Sequence, residues 1–122
     1  MAAISSEQRT EWTRLTDRLT AEYQGYDLTI EVLDPDAGVN SLVERLPFDA
    51  VTYDHQDDVV VVTVGGNSQR YPVSLRHLIY HPQELRADLT PEGAALRIIE
   101  STGTTTLVSL LRRPDGTGDR AS

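Results

Sequence analysis

The chain has 122 residues, 39% of them apolar and 25% charged, the balance of one soluble globular domain. It contains no cysteine, which excludes disulfides, thiolate nucleophiles and thiolate metal sites together. Its net charge is −8, from 19 acids against 11 basic residues that are all arginine, and that field repels phosphate backbones and anionic lipid.

Nucleic acid is therefore an unlooked-for partner, since no basic run exceeds Arg112-Arg113. A membrane span needs ~18 consecutive apolar residues, and the longest run here is Val59 to Val62. The opening MAAISSEQRT has neither the basic start nor the apolar core of a signal peptide, so a cytoplasmic location is expected. Arginine to the exclusion of lysine reflects either a GC-rich bacterial genome or adaptation to high salt.

In chain order, the first element is a helix. Ser5 with Gln8 three residues later has the spacing of a capping box. Trp12, Leu15, Leu19 and Tyr23 recur on one stripe at helical intervals, and Gly25 supplies the stop. From there the hydrophobic period changes from 3.6 to 2. Tyr26, Leu28, Ile30 and Val32 alternate with Asp27, Thr29 and Glu31, which predicts a half-buried strand ended by DPDAG. LPFDAVTYD and DDVVVVTVGG then read as a hairpin. Leu46 and Phe48 share one parity and Val51 and Tyr53 the other, so a bulge is expected near Asp49-Ala50. Val59 to Val62 has no polar side and is expected to be covered on both faces.

GGNS is a turn, and QRYPV a short extended piece. ELRADL alternates as a strand, TPEG turns it, and ALRIIE with TTTLVSLL form a second hairpin around STG. Short connections between strands require antiparallel pairing. The fold class is α+β: an N-terminal amphipathic helix, then six or seven short, mostly antiparallel strands in a strongly bent sheet or small open barrel. Residues 1–113 form a single domain, and 114–122 are expected to be a disordered tail.

RHLIYHPQEL holds two of the three histidines, His77 and His81. On a helix they would stand roughly 6 Å apart and could share a metal. Pro82 disfavours that geometry, and on a strand they stand about 13 Å apart, too far for one ion. A single turn at SLRHL followed by extended chain from Ile79 is the expected compromise. The bland reading makes His77 half-buried and bonded to backbone, with His81 on the surface. The sharper one makes Arg76, His77, Tyr80 and His81 a polar ligand-binding site. A metal site would have to recruit His55, Asp57 or Asp58.

Other chemistry is thin. Asp54 to Asp58 crowds carboxylates around a histidine without the glycine and final glutamate of a calcium loop. VGGNSQR follows a strand as a phosphate loop would, but it has no lysine. No serine or threonine sits in a nucleophile-elbow pattern. No catalytic residue, cofactor or resident metal is expected.

Trp12 in the opening helix, YDLTIEVL after a glycine, LPFDAVTYD, the H-x-I-x-x-P spacing at His77, Ile79 and Pro82, and STGTTTLVSL carry a resemblance. From about Ser5 to Arg113 the chain resembles a family of small single-domain bacterial proteins of unknown function, frequent in actinobacteria. The resemblance implies a compact cytoplasmic domain and no active site. The order of helix and bent strands is also similar to that of the Sm-like RNA-binding barrels, although two further strands follow here and the acidic balance disfavours RNA.

The expected function is a non-catalytic protein-interaction or regulatory domain, self-associating through an exposed strand edge or the helix. Apolar residues on both sides of the last hairpin, Leu107 and Leu111 against Val108 and Leu110, motivate it. The alternatives are a small-ligand or metal-binding domain centred on Arg76, His77 and Tyr80, and an Sm-like RNA-binding module.

Overall fold

The computed structural model describes residues 5–65 and 74–112. They form one helix, α1 (Ser6–Tyr23), and seven strands: β1 (Asp27–Asp34), β2 (Gly38–Asp54), β3 (Val59–Gly65), β4 (Ser74–Tyr80), β5 (Pro82–Thr90), β6 (Gly93–Glu100) and β7 (Thr105–Leu111). The GGNS turn beyond Gly65, the QRYPV segment and the expected tail at 114–122 lie outside the described residues.

The helix begins where its sequence says it should. The Ser5 hydroxyl accepts from the Gln8 N–H at 3.1 Å, and the Gln8 side chain accepts from the Ser5 N–H at 3.3 Å. Both halves of the capping box are therefore present. Trp12, Leu19 and Tyr23 are buried, joined by Thr16, whose hydroxyl is spent on the Trp12 carbonyl. Gly25 turns the chain out of the helix at φ 92.

All strand pairs are antiparallel, in one sheet of order β4-β3-β2-β1-β7-β6-β5. The turns into β2 and β3 are built alike. Asp34 Oδ1 accepts from the Asp36 and Ala37 amides, and Asp54 Oδ1 from those of Gln56 and Asp57. The predicted bulge is present: the β2–β3 register shifts between Phe48 and Ala50. Val59, Val60 and Val62 are buried, so both faces of β3 are largely covered.

β4 and β5 occupy opposite ends of the sheet, yet one residue, His81, separates them in sequence. The open sheet must therefore curl until its two ends meet there. His81 makes the junction with φ 55. Its N–H donates to the Asp58 carbonyl at 2.8 Å, on the β3 side, while its own carbonyl accepts from the Ser101 amide at 3.2 Å, beside β6. One residue thus serves both ends of the sheet. The curled sheet encloses a single core to which the helix and all seven strands contribute.

The helix also completes the sheet. β1 pairs with β2 only as far as Pro47, and from Asp49 onward that edge of β2 has no described strand beside it. Side chains of α1 and of Gln24, the residue that caps its C-terminus, take the place of one. Gln24 donates to the Asp49 carbonyl at 3.0 Å, and Arg9 to the His55 carbonyl at 3.3 Å. Between them, the Thr20 hydroxyl donates to the Val51 carbonyl at 2.8 Å and accepts from the Val51 N–H at 2.9 Å. The dimensions fit: residues 9–24 of a helix span about 22 Å, and residues 49–55 of a strand about 20 Å. Covering an edge in this way satisfies backbone groups and removes a template for unwanted pairing.

One expectation is corrected. The turn expected at SLRHL does not occur, because Ser74–Tyr80 pairs residue for residue with β3, from Val59↔Tyr80 to Gly65↔Ser74. That ladder satisfies every second backbone group and buries Ile79 beside Val60, which outweighs the weak local preference for a turn. Residues 39–45, which show no clean alternation, belong to the same 17-residue strand as LPFDAVTYD. Apart from Val43, which packs against the core, they run beyond it, leaving Val39 and Leu42 exposed, so burial imposes no alternation on them.

Candidate functional site

The four residues singled out by sequence are divided by the pleat of β4. Val60↔Ile79 and Val62↔His77 point inward, where Val60, Val62 and Ile79 are buried. Thr63↔Arg76, Val61↔Leu78 and Val59↔Tyr80 belong to the other face. Arg76 and Tyr80 thus share the outer surface, and His77 is half-buried on the inner one. Burial pushes the His77 imidazole below its ordinary value of 6.5, favouring the neutral ring. His81 stands apart at the sheet junction. The four do not converge on one concavity.

What gathers around His81 is a group of residues that spacing did not connect. Tyr53 Oη donates to Asp58 Oδ1 at 2.8 Å, and Arg9 Nη1 donates to Tyr53 Oη at 2.9 Å. Arg9 lies 3.6 Å from the same carboxylate oxygen, and His81 Nδ1 is 3.2 Å from Asp58 Oδ2. Trp12 packs edge-on against the Tyr53 ring, with centroids 5.3 Å apart. Burial, then the bond to Asp58 and its negative charge, push the Tyr53 phenol up to about 12, against the opposing influence of Arg9. A phenol held that firmly in its neutral form is a hydrogen-bond donor and no base at neutral pH. The cluster ties the helix, the β2–β3 turn and the β4–β5 junction together. It also holds Asp58 and His81, both at φ 55, in a conformation that costs L-residues roughly 1 kcal/mol or more.

Beside this cluster lies a concavity of about 340 Å³, lined by Ser6, Arg9, Thr10, Thr13, Arg14 and His55. Its Thr10 and Thr13 hydroxyls donate to helix carbonyls and Arg9 is engaged as above, which leaves Ser6, Arg14 and His55 as the polar side chains it could turn to a ligand. Among the described residues, no three His, Asp or Glu side chains converge as metal ligands would.

The most accessible chemistry is on β4. Its backbone groups alternate between the two edges, and the His81 N–H bond to Asp58 fixes the phase. The odd-numbered residues Leu75, His77 and Ile79 face β3, so the N–H and C=O of Arg76, Leu78 and Tyr80 face away from it. No described strand pairs with that side. Three large apolar side chains of β4 are exposed as well: Leu75 at 52%, Leu78 at 40% and Tyr80 at 52%. The other terminal strand, β5, opens with Pro82, has a register shift before Glu84 and carries Glu84, Arg86 and Asp88. Those are the devices that keep a sheet edge from pairing. On β4, Arg76 is the lone charge, and no proline or bulge interrupts the strand.

Fold and surface define the class first: an α+β domain with a helix-braced, curled antiparallel sheet and, on β4, an edge that no described strand covers. The chain belongs to a family of unknown function, DUF5335, which matches residues 4–119. It is also 31% identical over 83 residues to an uncharacterized protein of Aquifex aeolicus (strain VF5). That match covers 68% of this chain and 66% of the relative, just under two thirds of its length. No solved structure matches. The expected membership of a family of unknown function is thereby shown, while its actinobacterial and Sm-like parts gain no support. No described helix is long and apolar enough to cross a membrane.

Proposed function

We propose that the protein is a non-catalytic, cytoplasmic interaction domain that takes up an extended protein strand along the outer edge of β4, where no described strand pairs. The observation that carries this reading is the contrast between the two terminal strands. β5 is guarded by proline, bulge and alternating charge, whereas β4 offers alternate backbone donors and acceptors beside exposed Leu78 and Tyr80. Strand addition of this kind draws affinity from the main chain and selectivity from every second side chain. The polar cluster at Asp58 and His81 supports it by fixing one end of β4. Neutral Tyr53 and the already engaged Arg9 give that cluster a bracing role and not a catalytic one.

Amide hydrogen exchange tests the proposal. Binding of a strand protects the amides of Arg76, Leu78 and Tyr80, and leaves those of His77 and Ile79, already bonded to β3, little changed. The probes are the protein itself at rising concentration and extended peptides selected by display on the immobilised domain. If neither protects those three amides, the proposal fails.

A further inference from the structure

We infer that the strand taken up by this edge is β4 of a second copy, laid antiparallel across a two-fold axis at Leu78. The inference rests on the edge-pairing reading above and adds the identity and register of the occupant. Edge pairing must use the even-numbered residues, because only their backbone groups face outward. Centred on Leu78, an antiparallel pair sets Leu78 against Leu78 of the second copy. Arg76 then lies opposite Tyr80, twice. Each element of that match is favourable: apolar against apolar at the centre, and a guanidinium beside an aromatic ring on either flank.

The neighbouring registers are worse. One step toward the N-terminus sets each Leu78 against an arginine. One step the other way sets Arg76 against Pro82, beyond the bend at His81 and without an N–H to share. Centring on Arg76 opposes two like charges. Charge also selects the place. The chain carries −8 and repels its copies in general, yet Ser74–Tyr80 contains no acid and one arginine. Closed two-fold pairing also consumes the edge completely, so it gives a dimer and not a fibre.

The test uses the full chain and two substitutions at one position, Leu78→Lys and Leu78→Glu. Each places like charges face to face across the axis in its own homodimer, and a mixture of the two places opposite charges there. Sedimentation is run from micromolar to millimolar protein at high salt, where the general repulsion is screened. The expected result is a concentration-dependent wild-type dimer and a loss of more than about tenfold in affinity for each variant alone. The equimolar mixture recovers the dimer as a heterodimer. No other register predicts that recovery, since Leu78 would then face a different residue.

Leu78 is exposed and its N–H is not used by β3, so the variants are expected to melt like wild type. Should they not fold, exchange on the wild-type chain still decides, because dimerisation protects Arg76, Leu78 and Tyr80 as concentration rises. A wild-type chain that stays monomeric at millimolar concentration overturns the inference, as does a dimer that the variants leave intact or the mixture does not restore. If the monomer nonetheless binds an extended peptide that protects the three amides, the interaction reading stands and only self-pairing falls. If it binds none, both fall.

Discussion

Thr20→Val removes one oxygen from the helix and leaves the shape of the side chain almost unchanged. Valine and threonine are both β-branched with similar helix propensity, so the substitution isolates the hydroxyl. In the structure that hydroxyl is the partner of both the N–H and the C=O of Val51, at 2.9 and 2.8 Å. Loss of both bonds leaves two backbone groups facing a valine. An unsatisfied buried group costs about 1–3 kcal/mol, and the part-buried setting argues for the low end, about 1 kcal/mol each. The extra methyl recovers a few tenths of a kcal/mol, so the net loss is about 1.5–2 kcal/mol. At about 4 °C per kcal/mol for a domain of this size, melting falls by roughly 6–8 °C. Urea unfolding gives the free energy, and amide exchange at Val51 gives the local signature, protected in wild type and fast in the variant. Thr20→Ser, which keeps the oxygen and loses a methyl, is expected to cost clearly less. A Thr20→Val protein as stable as wild type, or more stable than the serine variant, would show that water serves the β2 edge and that the helix does not substitute for a strand.

Three further outcomes follow from other sites. Gly93→Ala drives its Cβ into the Leu110 carbonyl oxygen, so β6 must separate from β7, and urea unfolding should show a loss of about 3 kcal/mol; a neutral result would refute the close approach. Asp58→Asn removes the negative charge that helps hold the Tyr53 phenol at about 12, so ultraviolet titration should find that phenol closer to its ordinary 10; an unmoved value would remove Asp58 from the network. Burial lowers the His77 imidazole from its ordinary 6.5, so as pH falls through that value the unfolded chain takes up a proton more readily than the folded chain, and stability falls with it. Urea unfolding at pH 7.5 and 5.5 should therefore show a smaller pH loss in His77→Gln than in wild type, and equal losses would show that the ring is solvated in the fold.

Much of this was legible in the residues. The capping box at Ser5 and Gln8 and the burial stripe of α1 are local statements, since helix periodicity and end-capping depend on neighbours within four residues. The bulge near Asp49-Ala50 was legible because the pleat admits two apolar parities on one strand only with an extra residue between them. The β4 segment misled for the complementary reason. SLRHLIY has apolar residues on both parities, and only the β3 ladder chooses which set turns inward. The Arg9, Tyr53, Asp58 and His81 cluster was invisible to spacing because its members come from three separate parts of the chain, the helix, the β2–β3 hairpin and the β4–β5 junction. The acids around His55 were noticed, but their partners could not be.

The sequence by itself determined one helix, a run of antiparallel strands, an acidic surface and the absence of cysteine chemistry, because each follows from composition or from contacts close along the chain. Only the tertiary structure decided that the sheet's two ends meet at His81, that α1 lies where no described strand pairs with β2, and that β4 rather than the last hairpin has the edge no described strand covers. Those three facts concern which backbone groups find partners across 20 or more residues of intervening chain. Hydrophobic rhythm reports which side chains leave water, and is silent on where an N–H points.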